Sequence, residues 1–226
     1  MKIGGLQKLT LLDFPGYVAC TVFLQGCNFR CPFCHNTPLL VGTPELPVEE
    51  LLSFLKKRQG LLDGVAVTGG EPLLSPQIPE LLKQIKDLGY AVKLDSNGSF
   101  PDRLRSLIDG GLVDYVAMDI KNSREKYDLT AGAGGWLSRI EESVDLLKEG
   151  RVPYEFRTTV VAQLHRSEDF RSIGKWLQGA QQYFLQSYVD SGDILTQGLS
   201  AASKDEMEHY LAIAREYIPQ TQLRGI

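Results

Sequence analysis

Six times in succession, a short run of β-branched and aromatic residues gives way to a stretch whose apolar residues recur at helical spacing. The strand-like runs are Tyr17–Leu24, Gly64–Thr68, Tyr90–Asp95, Val113–Ile120, Val152–Val161 and Gln182–Val189. The helical stretches between and after them are Pro47–Gln59, Gln77–Leu88, Pro101–Ile108, Trp136–Lys148, Glu168–Leu177 and Lys204–Tyr217. Strands that alternate with helices are joined by right-handed crossovers, which lay the strands parallel in one sheet. Six units fall short of a closed eight-fold barrel. The expected class is therefore α/β, a partial (β/α)6 TIM-like barrel, with an open doubly wound sheet as the competing arrangement. Residues 1–226 read as one domain whose core runs from about 17 to 217, since no repeat or Pro/Ser-rich linker divides them.

A net charge of −4 and a pI near 5.5 offer no basic face for nucleic acid. No window reaches the roughly 18 uninterrupted apolar residues of a membrane span. The first residues, Met-Lys-Ile-Gly-Gly-Leu-Gln-Lys, lack the long apolar run of an export signal. A cytoplasmic location is expected, and there clustered cysteines bind metal or do chemistry more often than they form disulfides.

Such a cluster is present. Three of the four cysteines fall in Cys27-Asn-Phe-Arg-Cys31-Pro-Phe-Cys34, at the end of the first strand. A structural zinc site takes four ligands and electron-transfer iron–sulfur clusters usually take four thiolates. Three thiolates point instead to a cluster that keeps one iron open. Zinc with His35 or Cys20 as fourth ligand, a plain electron carrier, and haem attachment through Cys31-Pro-Phe-Cys34-His35 remain as alternatives. Cys20 is in phase with Val18 and Val22, which makes it a core thiol, and Phe14 and Phe29 read as packing residues. His165 and His209 carry no motif. Asp13, Asn28 and Arg30 are candidates for partner contact. Thr130-Ala-Gly-Ala-Gly-Gly135 is too irregular for a dinucleotide fingerprint and predicts a mobile loop.

In parallel α/β folds, ligands sit beyond the C-terminal ends of the strands. There this chain places the cysteines, then Thr68-Gly-Gly-Glu-Pro72, Asp95-Ser-Asn-Gly98, Asp119-Ile-Lys121, and Arg157 on the fifth strand. An Asp119–Lys121 pair alone also suits a solvated strand end. Five units with polar or glycine chemistry on one rim are harder to attribute to chance.

With Phe33 just before its last cysteine, the Cys-x3-Cys-x2-Cys loop resembles that of the radical S-adenosylmethionine superfamily, and Gly69-Gly70-Glu71 is similar to that superfamily's methionine-binding segment. Leu12-Asp-Phe-Pro-Gly16, Gln25-Gly26 and Cys34-His-Asn36 resemble the glycyl-radical-enzyme activases, above all those of anaerobic ribonucleotide reductase. The resemblance implies that Cys27, Cys31 and Cys34 hold a 4Fe-4S cluster whose fourth iron chelates S-adenosylmethionine. It implies cofactor contacts from Phe33, His35, Gly69, Gly70, Glu71, Ser96, Asn97, Asp119, Lys121 and Arg157. In this reading the glycines admit the methionyl group, Glu71 accepts from its ammonium, and Phe33 packs on adenine. Ser96 and Asn97 then reach ribose, while Lys121 and Arg157 face the carboxylate or sulfonium. A monovalent cation near Asp95 and Asp119 is also implied, with Ser96 standing where the relatives carry threonine. Phe184-Leu-Gln-Ser-Tyr188 lacks a histidine those relatives have. The implied partners are a glycyl radical enzyme, which covers the open side of the barrel, and a flavodoxin- or ferredoxin-type electron donor.

Overall fold

The computed structural model describes residues 1–42, 46–190, 192 and 194–225. Its elements, in chain order, are β1 (Ile3–Thr10), β2 (Ala19–Leu24), α1 (Pro38–Val41), α2 (Val48–Arg58), β3 (Gly64–Gly69), α3 (Ile78–Asp87), β4 (Ala91–Ser96) and α4 (Pro101–Asp109). They continue with β5 (Tyr115–Asp119), α5 (Tyr127–Ala131), α6 (Leu137–Lys148), β6 (Tyr154–Val160), α7 (Ser167–Leu177), β7 (Tyr183–Ser187), α8 (Lys204–Arg215) and β8 (Gln222–Arg224). All eight strands form one sheet in sequence order; β1 runs antiparallel to β2, and every later pair is parallel. This is a partial TIM-like barrel.

The six expected strands are β2 to β7. The two edge strands were not anticipated. β1 carries Gly4 and Gly5 and five of its eight residues are polar or glycine, and β8 is only three residues long, so neither shows a strand's hydrophobic signature. β2 begins at Ala19 because Tyr17 belongs to a turn: its N–H donates to the Phe14 carbonyl at 3.1 Å and the two rings stack at 4.2 Å.

Side-chain alternation divides the sheet into two surfaces. One set of residues, Cys20, Val22, Val65, Val67, Val92, Leu94, Val116, Met118, Phe156, Val160 and Leu185, is buried in a continuous apolar core with the helices. On α3, Ile78, Leu81, Leu82 and Ile85 supply the matching stripe at i, i+3, i+4 and i+7. Each fully buried aliphatic side chain there contributes roughly 1.5–3 kcal/mol. The alternate set turns inward and is largely polar. It includes Gln7, Thr21, Thr68, Asp95, Asp119, Arg157, Thr159 and Gln186, all on the wall of one cleft.

The first part of the segment expected to be a mobile loop is packed, while Gly134 and Gly135 are exposed. Thr130 and Ala131 end α5, and Gly132 caps it with φ +63°. A Cβ on Gly132 would meet the Arg30 carbonyl oxygen at 2.1 Å, so the glycine is there to let this helix end touch the cysteine loop.

Candidate active site

The three clustered cysteines open on a cleft of about 520 Å³ at the C-terminal ends of the parallel strands. Backbone contacts from three directions fix their loop. The Gly26 N–H donates to Leu39 O at 2.8 Å, the Glu71 N–H donates to Gly26 O at 2.8 Å, and the Arg30 N–H donates to Ala131 O at 3.0 Å. The Arg30 guanidinium folds back onto the Cys27 and Phe29 carbonyls, at 2.7 Å each, and closes the turn. Burial pushes the Cys31 thiol up to about 11, with Lys121 opposing it, and burial raises Cys27 as well. A metal bound by these thiols would displace their protons, so metal capture and proton release would be coupled here.

Cys20 lies on the other surface of β2, fully buried, with its thiol pushed up to about 12 by burial. Among the described residues, no three thiol, imidazole or carboxylate groups converge as a single metal ion requires. Zinc completed by His35 or Cys20 therefore does not suit the geometry. Three cysteine thiols do open together on one cleft, and thiolates are the ligands that iron–sulfur clusters take.

The Gly-Gly-Glu rim also does a structural job. A Cβ on Gly70 would lie 2.0 Å from Gly26 O, and one on Gly69, where φ is +117°, would lie 2.3 Å from Leu24 O. Both glycines thus let the ends of β3 and β2 touch, which clamps the cysteine loop against the rim. Glu71 corrects the expectation more sharply: its side chain is 1% exposed and is not on the cleft wall. Its Oε1 accepts from the Leu73 N–H at 2.9 Å and from the Ser96 hydroxyl at 3.0 Å, and its Oε2 accepts from the Asn97 N–H at 2.6 Å. It braces the rim from behind. Ser96 and Asn97 do line the cleft. The Asn97 amide donates to Asn28 Oδ1 at 3.0 Å, and its oxygen accepts from Ser99, so this side chain also ties β4 to the cysteine loop.

Across β4, β5 and β6 runs a chain of alternating charges. Lys93 pairs with Asp95 Oδ1, and Arg157 bridges Asp95 Oδ2 at 3.2 Å to Asp119 Oδ1 at 3.0 Å. Lys121 meets Asp119 Oδ2 at 3.0 Å. Burial alone would raise the Asp119 carboxyl, but Arg157 and Lys121 hold it well below the usual carboxylate range. Burial works against the charge on Lys121 too, and Asp119 reverses that and raises it. The Asp119–Lys121 pair is thus part of a partly buried network on the cleft wall, where charge pairs interact more strongly than at a fully solvated surface. The Lys121 ammonium lies 5.9 Å from the centre of the Phe33 ring, which also faces the cleft. His35 sits exposed at the cleft's edge.

Several contributors lay outside the sequence reading. His165 is fully buried; its Nδ1 accepts from the Val161 N–H at 3.1 Å, and its Nε2 donates to the Lys121 carbonyl at 3.0 Å. Burial holds this imidazole below its ordinary value, so it stays neutral and fixes the turn that presents Lys121. Asn36 donates to the Gly69 carbonyl at 3.2 Å. Deeper in the barrel Arg224 forms a two-bond pair with the buried Glu155, at 2.7 and 2.8 Å. Tyr188 stands on the cleft wall beyond β7, with its hydroxyl buried and without a partner among the described residues.

Residues 21–177 match the family model of the radical SAM superfamily. A protein of Methanocaldococcus jannaschii, provisionally named a glycyl-radical enzyme activating enzyme, is 30% identical over 99% of this chain and 96% of its own length. The pyruvate formate-lyase-activating enzyme of Clostridium pasteurianum is 33% identical over 59% of this chain and 58% of that protein. In fold, the chain is similar to Streptococcus suis SuiB bound to S-adenosylmethionine, with a TM-score of 0.71 at 13% identity, covering 89% of this chain and 49% of that one.

Proposed function

Because the chain belongs to the radical SAM superfamily, and within it to the glycyl-radical-enzyme activating enzymes, we propose that its 226 residues act as one domain that generates a glycyl radical on anaerobic ribonucleotide reductase. The observation that carries the cofactor reading is the wall of a single cleft. Cys27, Cys31 and Cys34 open on it together with Gly69, Gly70, Ser96, Asn97, Lys121 and Arg157.

In this reading, the three thiolates hold a 4Fe-4S cluster, and Lys121 and Arg157 offer charge-assisted bonds to a carboxylate. Phe33 offers an aromatic face to adenine, and Ser96 and Asn97 offer polar atoms to ribose. A cluster and S-adenosylmethionine bound there supply a one-electron cleavage that yields methionine and a 5′-deoxyadenosyl radical able to take a glycine Cα hydrogen. The chain's own work is to orient these groups and to exclude competing reactions. The polar inner wall gives the reacting groups fixed partners in place of mobile water. The open edges beyond β1 and β8 leave room for a macromolecular substrate to present its glycine loop, and a flavodoxin- or ferredoxin-type protein supplies the electron.

The test is anaerobic reconstitution with iron and sulfide, followed by dithionite and S-adenosylmethionine. The expected product is 5′-deoxyadenosine, and Cys31→Ala should give none. Added anaerobic ribonucleotide reductase should show a glycine-centred doublet in electron spin resonance. A doublet seen only with a formate-lyase-type partner would assign the other glycyl radical enzyme instead.

A further inference from the structure

A monovalent cation beside Asp95 and Asp119, implied by the resemblance, does not fit what surrounds these carboxylates. All four of their oxygens already face a cationic side chain. Asp95 Oδ1 has Lys93 and Oδ2 has Arg157; Asp119 Oδ1 has Arg157 and Oδ2 has Lys121. Two negative charges are thus set among three positive ones. An added Na+ or K+ would have to share every carboxylate oxygen with a cationic side chain and would enter a group already carrying a net positive charge.

The three cations are not equivalent. Arg157 and Lys121 stand on the cleft wall, free to extend their remaining donors to an anionic group of a ligand. Lys93 is not on that wall and is 2% exposed. It lies on the inward surface of β4, two residues before Asp95, with Ala66 of β3 and Tyr115 of β5 as its register partners. The short Ala66 side chain leaves space for a long one beside it. From this place the ammonium reaches Asp95 and nothing in the cleft. Its charge serves the carboxylate, behind the ligand surface, where a bound ion would otherwise be needed to keep Asp95 from repelling an incoming carboxylate.

We propose that Lys93 is a tethered replacement for the alkali-metal ion: a positioning residue that neutralises Asp95 and frees cofactor binding from any need for Na+ or K+. The inference rests on S-adenosylmethionine binding in this cleft, and its test separates the two ideas. The reconstituted protein, kept oxidised so that no turnover occurs, is titrated with S-adenosylmethionine by calorimetry in choline, sodium or potassium chloride, each at about 0.1 M.

The wild-type dissociation constant should agree within about twofold across the three salts. Lys93→Met matches lysine as far as Cε and vacates only the ammonium position. Its affinity should fall by about tenfold or more in choline and recover in sodium or potassium, a rescue that a purely structural role would not give. Lys93→Arg retains the charge and should stay salt-independent. A wild-type affinity that improves about tenfold on replacing choline with potassium overturns the proposal. So does a weakened Lys93→Met that no alkali ion restores. Absence of binding in every salt overturns the functional reading itself.

Discussion

Glu71→Gln is the most demanding check on the site, because it changes one oxygen to an amide and preserves shape. Two of the three groups that donate to Glu71 are backbone N–H groups with no other role: Leu73 on Oε1 and Asn97 on Oε2. An amide nitrogen carries no free lone pair. Whichever way the amide is turned, its NH2 faces one of those two N–H groups. A protonated carboxylic acid avoids the conflict, since it can donate to the Ser96 hydroxyl while its Oε1 still accepts from Leu73. Leaving one buried donor unsatisfied costs about 1–3 kcal/mol. At a urea dependence near the upper end for single domains, about 3 kcal/mol per M, the midpoint should fall by roughly 0.3–1 M.

The pH dependence supplies a second readout. Burial pushes the Glu71 carboxyl from its ordinary 4.5 up to about 7, and its hydrogen bonds only partly offset this. A group that binds its proton more tightly when folded stabilises most below the unfolded value, and that contribution is lost as pH rises through the folded one. The stability gap between wild type and Glu71→Gln should therefore be widest near pH 4.5 and narrow by the time pH passes 7. Urea titrations at several pH values, set beside calorimetric affinity for S-adenosylmethionine, decide the matter. An unmoved midpoint together with a weakened affinity would refute the bracing role and return Glu71 to the ligand's ammonium.

Iron and sulfide content after reconstitution should vanish in Cys31→Ala and stay at wild-type level in Cys20→Ala, because Cys20 faces the apolar core behind the sheet. Gly132→Ala should lose about 1–2 kcal/mol from its left-handed backbone alone, and more from the contact with Arg30 O, and it should load less iron because α5 can no longer seat the cysteine loop. His165→Ala should cost about 2–4 kcal/mol by thermal unfolding, since it orphans the Val161 N–H and the Lys121 carbonyl and opens a cavity.

The cleft residues that the sequence made legible sit at the end of a strand beside a glycine or another polar residue, whereas Gln7, Thr21, Thr159 and Gln186 on the same wall carried no such signal. Cys27, Ser96 and Asp119 follow apolar runs that end abruptly, and that contrast survives in a bare sequence. The bracing residues leave no such trace. Lys93 is one charge between Val92 and Leu94, and its meaning depends on the register that sets β4 between Ala66 and Tyr115. His165 matters only because its loop, 44 residues on, returns to Lys121. Gly132 looked like part of a flexible tract, since glycine serves equally for freedom and for close contact, and only the 2.1 Å approach to Arg30 distinguishes them.

Glu71 shows how a motif can be right in place and different in role. Its triplet stands on the expected rim, yet the two glycines join backbone to backbone and the carboxylate joins β3 to β4. A buried polar network of this kind is costly unless every member is satisfied, and fully satisfied it admits one arrangement of the loops around it. The same economy governs the charges of Lys93, Asp95, Arg157, Asp119 and Lys121, whose carboxylate oxygens are all paired before any ligand arrives. In the proposed reading, a cleft organised in this way has little reorganisation left to do when a charged cofactor enters, and its selectivity would lie in the fixed positions of Lys121 and Arg157. In that reading, a ligand lacking a carboxylate would leave Lys121 and Arg157 with Asp119 as their shared anion and no partner for their remaining donors in the cleft, and the site would discriminate against it on that ground.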